Sequence, residues 1–346
     1  MNYTNVYIDA IAYELAPVVV SSSELEDRLI PVYDALHVSR GQLEALTGIA
    51  ERRWWEEGYE LSAGAIAAAS KALNSAAIKP EDIEALIYAG VCRENYEPAT
   101  ACRVAAGVGV NPGAAIYDIS NACLGVMNGI LDIANRIELG QIKAGMVVSC
   151  ETAREINNIM IDRMLENKSM DLFTKSLATL TGGSGAVAVL ITDGSFAPLK
   201  RRQLLGGVTR TAPEFHTLCR WGIDTQHPKQ CQSMSTDSVS VMKYGVKLGH
   251  ETWKVFLEEL GWTKDNVDKI ICHQVGSAHQ EQILNTLGIS EEKDFTTYEH
   301  MGNIGTVSLP ITAALAEEFE FLKPGDRVGF LGIGSGLNCL MLGLEW

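Results

Sequence analysis

The chain has 346 residues, of which 28 are Lys or Arg and 43 are Asp or Glu, so its formal net charge is −15. This charge argues against nucleic-acid binding, which needs a clustered basic face, and we interpret the short run of Lys200, Arg201 and Arg202 as a solvated turn. A hydrophobic content of 47% excludes disorder as the main state, and the length accommodates roughly two domains.

Cysteine usage predicts a reducing compartment. Eight Cys in a chain of this length are too few for a disulfide scaffold, and no Cys-x-x-Cys pair is present. His216, Cys219, His227 and Cys231 lie close together in the sequence. Their spacing fits no common zinc pattern, so we predict a polar loop there and no metal.

The N-terminal segment lacks the pattern of a signal peptide. Residues 1–17 include Asp9 and Glu14, and no basic region precedes an apolar one. No part of the sequence approaches the roughly 18 uninterrupted apolar residues of a membrane span. We therefore expect a soluble, cytoplasmic protein.

Short apolar runs alternate with longer amphipathic stretches along the chain. In chain order, the pattern predicts a helix over 61–73, strands over 85–88 and 116–119, a helix over 125–131, strands over 145–148 and 186–191, a helix over 246–260, and strands over 269–271 and 328–331. The apolar stripe of the helix at 246–260 includes Trp253 and Phe256, which favours packing in a core. Alternating strands and helices are typical of an α/β fold built from βαβ units.

Four landmarks recur in the same order in the two halves of the sequence. The four pairs of segments are 78–87 with 262–271, 107–110 with 286–289, 118–125 with 298–305, and 140–148 with 324–331. They correspond in turn to an acidic turn before a strand, a helix closed by glycine, a strand running into a Gly-rich turn, and a further strand. This order predicts two fused α/β units, which we divide into residues 1–185 and 186–346.

Three residues that could carry chemistry follow the predicted strands. Cys123 lies between a strand and a helix, whose N-terminal N–H groups and dipole favour a thiolate. His273 follows the strand that begins at residue 269, and Asn303 matches Cys123 in the repeat. Because reactive groups gather at the carboxyl ends of strands in open α/β sheets, related halves would bring them to one crevice. Taken singly, each has a simpler explanation as a buried Cys, a core His or a turn Asn.

Together with the glycine-rich run at 332–338, these residues resemble the thiolase-like condensing enzymes, and among them the 3-oxoacyl-ACP synthase III group. The resemblance extends over essentially the whole chain, including residues 47–53 and 182–186, and implies a duplicated, five-layer αβαβα fold. It implies that Cys123 takes up an acyl group as a thioester and that His273 and Asn303 hydrogen-bond the carbonyl oxygen of the second substrate. It also implies an oxyanion hole formed by the backbone N–H groups of Cys123 and Ser335.

Glu97, in the loop after the strand at 85–88, distinguishes two branches of this group. A decarboxylating synthase makes its carbanion by losing CO₂, whereas condensation of two plain acyl thioesters needs a base that removes an α-proton. The motif at 93–100 resembles that of the branch that condenses two acyl-CoA molecules head to head in bacterial olefin biosynthesis. This resemblance implies that Glu97 is the base and reaches across a homodimer into the active site of the partner. The simpler explanation is a surface Glu that stabilises a turn before Pro98.

Membership of this branch implies a non-decarboxylative Claisen condensation of two long-chain acyl-CoA molecules to a 2-alkyl-3-keto acid. This reaction is the first step of long-chain olefin biosynthesis and needs no cofactor besides the acyl-CoA substrates. Downstream enzymes of the olefin pathway are the expected partners. Two alternatives stay open: a decarboxylating 3-oxoacyl-ACP synthase III that uses malonyl-ACP, and a binding or scaffold protein that keeps the fold without the chemistry.

The contact with CoA departs from the pattern of the larger group. Synthase III enzymes of fatty-acid initiation carry an Arg before the Thr-Gly-Ile sequence, whereas this chain has Leu46 there. Arg52 and Arg53 are candidate partners for the CoA phosphates, although a solvated helix start explains them equally well. The apolar segments 159–160 and 177–180 are candidates for the lining of an alkyl channel.

Overall fold

The computed structural model describes residues 1–196, 202–225 and 232–346. Within these ranges the strands are β1 (Tyr7–Leu15), β2 (Val18–Ser21), β3 (Glu51–Trp54), β4 (Ala85–Ala89), β5 (Ala115–Ile119), β6 (Ala144–Glu151), β7 (Gly185–Thr192), β8 (Arg202–Thr211), β9 (Cys219–Ile223), β10 (Gln232–Thr236), β11 (Lys269–Cys272), β12 (Arg327–Gly334) and β13 (Asn338–Glu345). The helices are α1 (Ser22–Arg28), α2 (Ile30–Leu36), α3 (Gln42–Thr47), α4 (Leu61–Ala76), α5 (Thr100–Val108), α6 (Gly125–Glu138), α7 (Arg154–Glu166), α8 (Met170–Leu180), α9 (Ser238–Leu260), α10 (Ser277–Leu287), α11 (Tyr298–Met301) and α12 (Ser308–Glu318).

Nine of these strands form one mixed sheet in the order β11-β12-β13-β8-β1-β7-β6-β4-β5. On one side, β4 pairs in parallel with both β5 and β6, and on the other side β11 pairs in parallel with β12. The two sides join where Tyr7 and Ile8 of β1 pair with the start of β8, while β1 follows β7 over its whole length. This short join divides the sheet into two halves.

Alternate strand residues face two different cores, which stacks the fold in layers. Met146 and Val148 of β6 pack with residues of α4 and α5, whereas Val147 packs with residues of α6. In the other half, Ile270 of β11 packs with α9 and α10, whereas Ile271 belongs to the core that holds α6 and α12. The two sheet halves therefore enclose α6 and α12, with α4 and α5 outside one half and α9 and α10 outside the other. The predicted αβαβα fold is confirmed.

Helix α6 is fixed closely at both its face and its N terminus. Gly129 faces β6, where a Cβ would lie 2.7 Å from Cγ1 of Val147, so the absence of a side chain lets the helix lie against the strand. The backbone N–H of Val126 donates to Oγ1 of Thr306 at 2.7 Å. That hydrogen bond joins the start of α6 to the segment just before α12 in the second half of the chain.

Most of the elements expected from the sequence are confirmed. The predicted strands correspond to β4, β5, β6, β7, β11 and β12, and the predicted helices to α4, α6 and α9. The glycine-closed helices of the repeat are α5 and α10, which end at Gly109 and Gly288 in the left-handed conformation. The boundary between residues 185 and 186 stays a prediction. In the described ranges, no helix has both the length and the apolar character needed to cross a membrane.

Two expectations are wrong. The repeat predicts a strand within residues 298–305, whereas Tyr298–Met301 forms the short helix α11. On the edge of β11 that faces away from β12, the described residues form just an isolated bridge between Ile270 and Asp294. The second half therefore lacks a full counterpart of β5 there. Arg202 is not in a solvated turn, because its position in β8 leaves it only 5% exposed. Lys200 and Arg201 lie outside the described residues.

The buried Arg202 stabilises the fold through polar contacts. Its guanidinium donates to the carbonyl oxygen of Ile8 at 3.1 Å, pairs with Glu317 at 2.5 Å and lies 4.9 Å from the ring centroid of Trp346. Arg202→Met should lower the free energy of unfolding by about 3 kcal/mol, because buried acceptors lose their donor. Urea denaturation measures the change. The control Arg210→Met, at an exposed position of the same strand, should change it by less than about 0.5 kcal/mol, and an equal loss in both variants would contradict the explanation.

Candidate active site

A cavity of about 970 Å³ lies between the two halves of the fold. Its wall includes Cys123, His273, Asn303 and Ser335, which the sequence places at different points along the chain. Cys123 follows β5, His273 follows β11 and Ser335 follows β12, so strand ends from both halves supply the wall. This is the shared crevice that the repeat predicts.

Cys123 lies in the turn between β5 and α6. Ala122 precedes it with a φ of 44°, a left-handed conformation that is uncommon for a residue with a Cβ. The side chain of Asn121 holds this turn from two sides, since it donates to Asn128 at 2.7 Å and accepts from Asn338 at 3.1 Å. The second of these bonds comes from the other half of the chain, so the position of Cys123 depends on both halves.

The thiol of Cys123 is protonated in the resting enzyme. Burial raises its pKa to about 12, and the nearby Cys219 and Glu151 add to the rise. The position of Cys123 before a helix predicts a thiolate, whereas here desolvation outweighs the helix dipole. A reaction at this sulfur would therefore need a base that removes the proton of the thiol.

His273 lines the same cavity as Cys123 and carries an imidazole, a side chain that can accept a proton. Its backbone N–H donates to the carbonyl oxygen of Leu331 at 3.0 Å, and its side chain is 5% exposed. Burial lowers the pKa of His273 to about 3, with His279 adding to the effect, and burial lowers the pKa of His279 to about 4. Both imidazoles are neutral near pH 7, so His273 can accept a proton at one nitrogen while it donates from the other.

Asn303 presents a donor to the same cavity. Its backbone N–H donates to Thr181 at 2.9 Å, and its carbonyl oxygen accepts from Gly183 at 3.0 Å. The side-chain Oδ1 accepts from the N–H of Gly305 at 3.0 Å, which leaves the amide Nδ2 as a donor. An imidazole N–H and an amide N–H on one wall can together hydrogen-bond one carbonyl oxygen and stabilise the charge of its enolate.

The turn that holds Ser335 packs against the backbone of Cys123. A Cβ at Gly334 would lie 3.5 Å from the nitrogen of Cys123 and 3.2 Å from Cγ of Leu124, so this approach requires a residue with little or no side chain. The contact places the peptide groups of both turns side by side on the cavity wall. This placement suits the predicted oxyanion hole, in which two fixed N–H groups face one oxygen.

Glu97 is not among the residues that line the cavity of its own chain. It is exposed in the loop between β4 and α5, beside Tyr96, which is 97% exposed. The structure therefore brings together four of the five predicted site residues and leaves the fifth on the surface. The role of Glu97 in a partner's cavity stays a prediction.

The sequence reasoning missed Glu151, a carboxylate inside the cavity. Glu151 is the last residue of β6, is 4% exposed and lines the same wall region as Cys123. Its carboxylate accepts the backbone N–H groups of Val91 at 2.9 Å and Cys92 at 3.2 Å, and burial raises its pKa. The rule that selects His273, a polar residue directly at the end of a buried strand, also selects Glu151.

The hairpin of β9 and β10 forms another wall of the cavity. Trp221 and Met234 face each other in its register, and both line the cavity. Of the segments considered for an alkyl channel, 177–180 contributes Ala178 and Thr179, whereas Met160 of the other segment is a core residue.

Arg52 is excluded as a partner for the CoA phosphates. It is fully buried, and its guanidinium donates to the carbonyl oxygen of Val20 at 3.2 Å and to Oγ of Ser22 at 2.9 Å. The candidate assignment of Arg52 from its place near the Thr-Gly-Ile sequence is therefore wrong. Its guanidinium instead joins β3 to β2 and to the first residue of α1.

The residues considered for zinc are only partly described by the structure. His227 and Cys231 lie outside the described residues, and Cys219 belongs to β9 and lines the cavity. In the described part of the chain, no three His, Cys, Asp or Glu side chains form a cluster that could hold a metal ion.

Comparison with known protein families gives the same class as the fold and the cavity. A model of the thiolase N-terminal domain matches residues 52–183, and a model of the 3-oxoacyl-[acyl-carrier-protein] synthase III C-terminal domain matches residues 257–346. Two sheet halves around a central helix pair, with Cys123 and His273 after strands and Asn303 on the wall of the same cavity, define a thiolase-like condensing enzyme.

Individual relatives narrow this class. The acyl-CoA:acyl-CoA alkyltransferase of Shewanella oneidensis is 58% identical over 100% of both chains, and that of Xanthomonas campestris is 36% identical over 100% of both chains. The β-ketoacyl-[acyl-carrier-protein] synthase III 1 of Bacillus cereus is 29% identical over 99% of both chains. The chain belongs to the acyl-CoA:acyl-CoA alkyltransferase family.

Solved structures agree with this membership. Cerulenin-bound OleA of Xanthomonas campestris superposes with a TM-score of 0.95 at 36% identity, covering 100% of this chain and 98% of that chain. A Cys-to-Ser variant of the same OleA, with bound lauric acid and lauroyl-CoA, has a TM-score of 0.94 at 36% identity and covers 99% of this chain and 100% of that chain.

The high pKa of Cys123 makes its alkylation strongly dependent on pH. We expect the rate with iodoacetamide to rise about tenfold per pH unit from about pH 7 to 10, because only the thiolate reacts. Peptide mass spectrometry after quenching gives the rate, and the exposed Cys102 in the same sample reports on the reagent. A rate at Cys123 that levels off below about pH 9 would contradict the effect of burial.

Proposed function

We propose that the protein joins two long-chain acyl-CoA molecules, without decarboxylation, into a 2-alkyl-3-keto acid. The observation that carries this proposal is the single cavity in which Cys123, His273 and Asn303 meet from both halves of the chain. Relatives that align over their whole length are named acyl-CoA:acyl-CoA alkyltransferases, which supports acyl-CoA as both substrates.

In the first half-reaction, the enzyme becomes acylated. Neutral His273 takes the proton of the Cys123 thiol as the sulfur attacks the thioester carbon of the first acyl-CoA. The backbone N–H groups of Cys123 and Ser335 stabilise the tetrahedral oxyanion. When the intermediate collapses, the C–S bond to CoA breaks and the CoA sulfur takes the proton back from His273, so the imidazole is neutral again.

In the second half-reaction, a carbon–carbon bond forms. The carbonyl oxygen of a second acyl-CoA accepts hydrogen bonds from His273 and Asn303, which lowers the energy of its enolate. Glu97 of the partner subunit removes the α-proton, and the α-carbon attacks the acyl thioester on Cys123. The Cys123 sulfur leaves as a thiolate, and the proton that Glu97 removed returns through water to this sulfur, so the thiol and the carboxylate are both restored. Water then hydrolyses the remaining CoA thioester to give the keto acid and free CoA.

A homodimer is the assembly that this mechanism needs. Strand β5 is the edge of the nine-stranded sheet, and all five of its residues are only half-buried. Asp118 of β5 accepts the backbone N–H groups of Thr100 and Ala101 at 2.9 Å each, which ties the end of the Glu97 loop to this edge. A second copy paired along β5 would cover the exposed Tyr96 and lie beside Glu97.

The remaining parts of the proposal concern the cell. A 2-alkyl-3-keto acid is the starting point for long-chain olefins, so enzymes of that pathway are the proposed downstream partners. The cytoplasm is the proposed location, and acyl-CoA is the proposed source of both acyl groups, with no cofactor besides these substrates.

The variant Glu97→Gln tests the base directly. We expect Cys123 to be acylated at the normal rate by a long-chain acyl-CoA, while condensation falls by about a hundredfold or more, because the α-proton has no acceptor. Intact-protein mass spectrometry measures acylation, and liquid chromatography with mass spectrometry measures the keto acid. Glu258→Gln, at an exposed position of α9, is the matched control and should condense normally.

The same variant separates the alternatives. A decarboxylating synthase would condense malonyl thioesters at full rate with Glu97→Gln. This result would favour a decarboxylating 3-oxoacyl-ACP synthase III that uses malonyl-ACP. A scaffold protein would form no acyl adduct at Cys123 in the unaltered chain.

Mixed dimers test whether Glu97 acts in the partner's cavity. Each homodimer of Cys123→Ala and of Glu97→Ala should be inactive, whereas the mixed dimer, purified through two different affinity tags, should recover about half of the normal activity per dimer. Recovery is expected because one cavity then combines Cys123 from one chain with Glu97 from the other. A purified mixed dimer without condensation activity would rule out the transfer of Glu97 between subunits.

A further inference from the structure

The carboxylate of Glu151 lies near Cys123 and also holds the loop that leads to Glu97. Toward the cavity it lies on the wall shared with Cys123, and its charge contributes to the raised pKa of that thiol. It also accepts the N–H groups of Val91, which lines the cavity as well, and of Cys92, near the start of the loop that continues to Glu97. The two oxygens of the carboxylate are each used by one of these N–H groups.

The surroundings of Glu151 are built closely around its side chain. A Cβ at Gly90 would lie 3.1 Å from Oε1 of Glu151, and a Cβ at Gly305 would lie 3.4 Å from its Cγ. The hydroxyl of Tyr88 donates to the carbonyl oxygen of Cys92 at 2.9 Å and so holds the next peptide unit of the loop. The start of the loop therefore has little freedom as long as the carboxylate is in place.

The other end of the loop is fixed by a second carboxylate of the same kind. Asp118 holds the N–H groups of Thr100 and Ala101 at 2.9 Å, and Glu94 within the loop accepts the N–H of Ser62 at 2.8 Å. Carboxylates that accept backbone N–H groups thus bracket the segment that carries Glu97. Loss of the hydrogen bonds to Glu151 would free the loop at Val91 and Cys92, where it lies nearest the cavity.

We propose that Glu151 is a positioning residue that fixes the loop presenting Glu97 to the partner subunit. This inference rests on the proposed action of Glu97 in the partner's cavity. Glu151 lines the cavity of its own chain, yet its effect on condensation is exerted in the cavity of the other chain.

The substitution Glu151→Gln removes one of the two hydrogen-bond acceptors with little change in the size of the side chain. One oxygen becomes an NH₂ group, which faces a backbone N–H and cannot accept from it. The Cys123 thiol, the His273 imidazole and the Asn303 amide keep their places, so acylation should continue. A shift of about 1 Å in a catalytic group costs up to about a hundredfold in rate, so the loss of condensation should be large.

Mixed dimers separate an effect of Glu151 on the cavity of its own chain from an effect on the cavity of the partner. The parent pair consists of a Cys123→Ala chain, which donates Glu97, and a Glu97→Ala chain, which contributes Cys123. With Glu151→Gln on the donating chain, condensation should fall by about a hundredfold relative to the parent pair. With Glu151→Gln on the chain that contributes Cys123, the loss should be at least about tenfold smaller than on the donating chain, because the loop that this carboxylate holds serves the other, inactive cavity.

The results that would overturn the proposal are distinct from a failure of the proposed function. If the parent pair itself is inactive, both the transfer of Glu97 and the role of Glu151 fall. If the parent pair is active and the loss follows the chain that contributes Cys123, Glu151 serves its own cavity and the positioning role is wrong. Equal loss on either chain, or loss on neither, also overturns it.

A matched control excludes a general loss of folding. Glu26 is another buried carboxylate that accepts two backbone N–H groups, from Gly41 at 2.6 Å and Leu43 at 2.8 Å, and it is not among the residues that line the cavity. Glu26→Gln on the donating chain should leave condensation within about twofold of the parent pair. A hundredfold loss in this control as well would assign the effect of Glu151→Gln to damaged folding and overturn the specific role.

Discussion

Desolvation of the side chains that line one cavity sets the protonation of its thiol and imidazole groups. The same burial that raises the pKa of the Cys123 thiol to about 12 lowers that of the His273 imidazole to about 3. Both effects favour the neutral form, because a low-dielectric site disfavours charge of either sign. Near neutral pH the cavity therefore holds a thiol rather than a thiolate, the form that is the less reactive toward oxidants.

The cavity keeps its geometry through polar bonds that cross between the halves of the chain. The bond from Val126 to Thr306 fixes the start of α6, and the bond from Asn338 to Asn121 fixes the turn before Cys123. Both lie within a few residues of Cys123, whereas strands β1 and β8, which connect the sheet halves, pair at just two positions of β1 in the described part of the chain. Local polar contacts at the site therefore supplement a sparse join in the sheet.

Prediction from sequence succeeds where one segment determines the outcome by itself. The strands β4, β6 and β7 are buried on both faces, so they read as continuous apolar runs, and residues at strand ends follow from them. Prediction fails where distant residues decide. The burial of Arg202 depends on Glu317, 115 positions away, and the pKa of Cys123 depends on how completely other segments enclose it. The hairpin of β9 and β10 has too few buried residues to leave an apolar run.

That hairpin stands apart from the main sheet and pairs only with itself among the described strands. Its residues are mostly exposed or half-buried, while Trp221 and Met234 reach the cavity wall. Substitutions of residues that face the cavity there can alter its shape and leave the strand pairing of the main sheet in place, because no described strand of that sheet pairs with the hairpin. Sequence changes in this hairpin can therefore alter which fatty chains fit the cavity while Cys123, His273 and Asn303 stay the same.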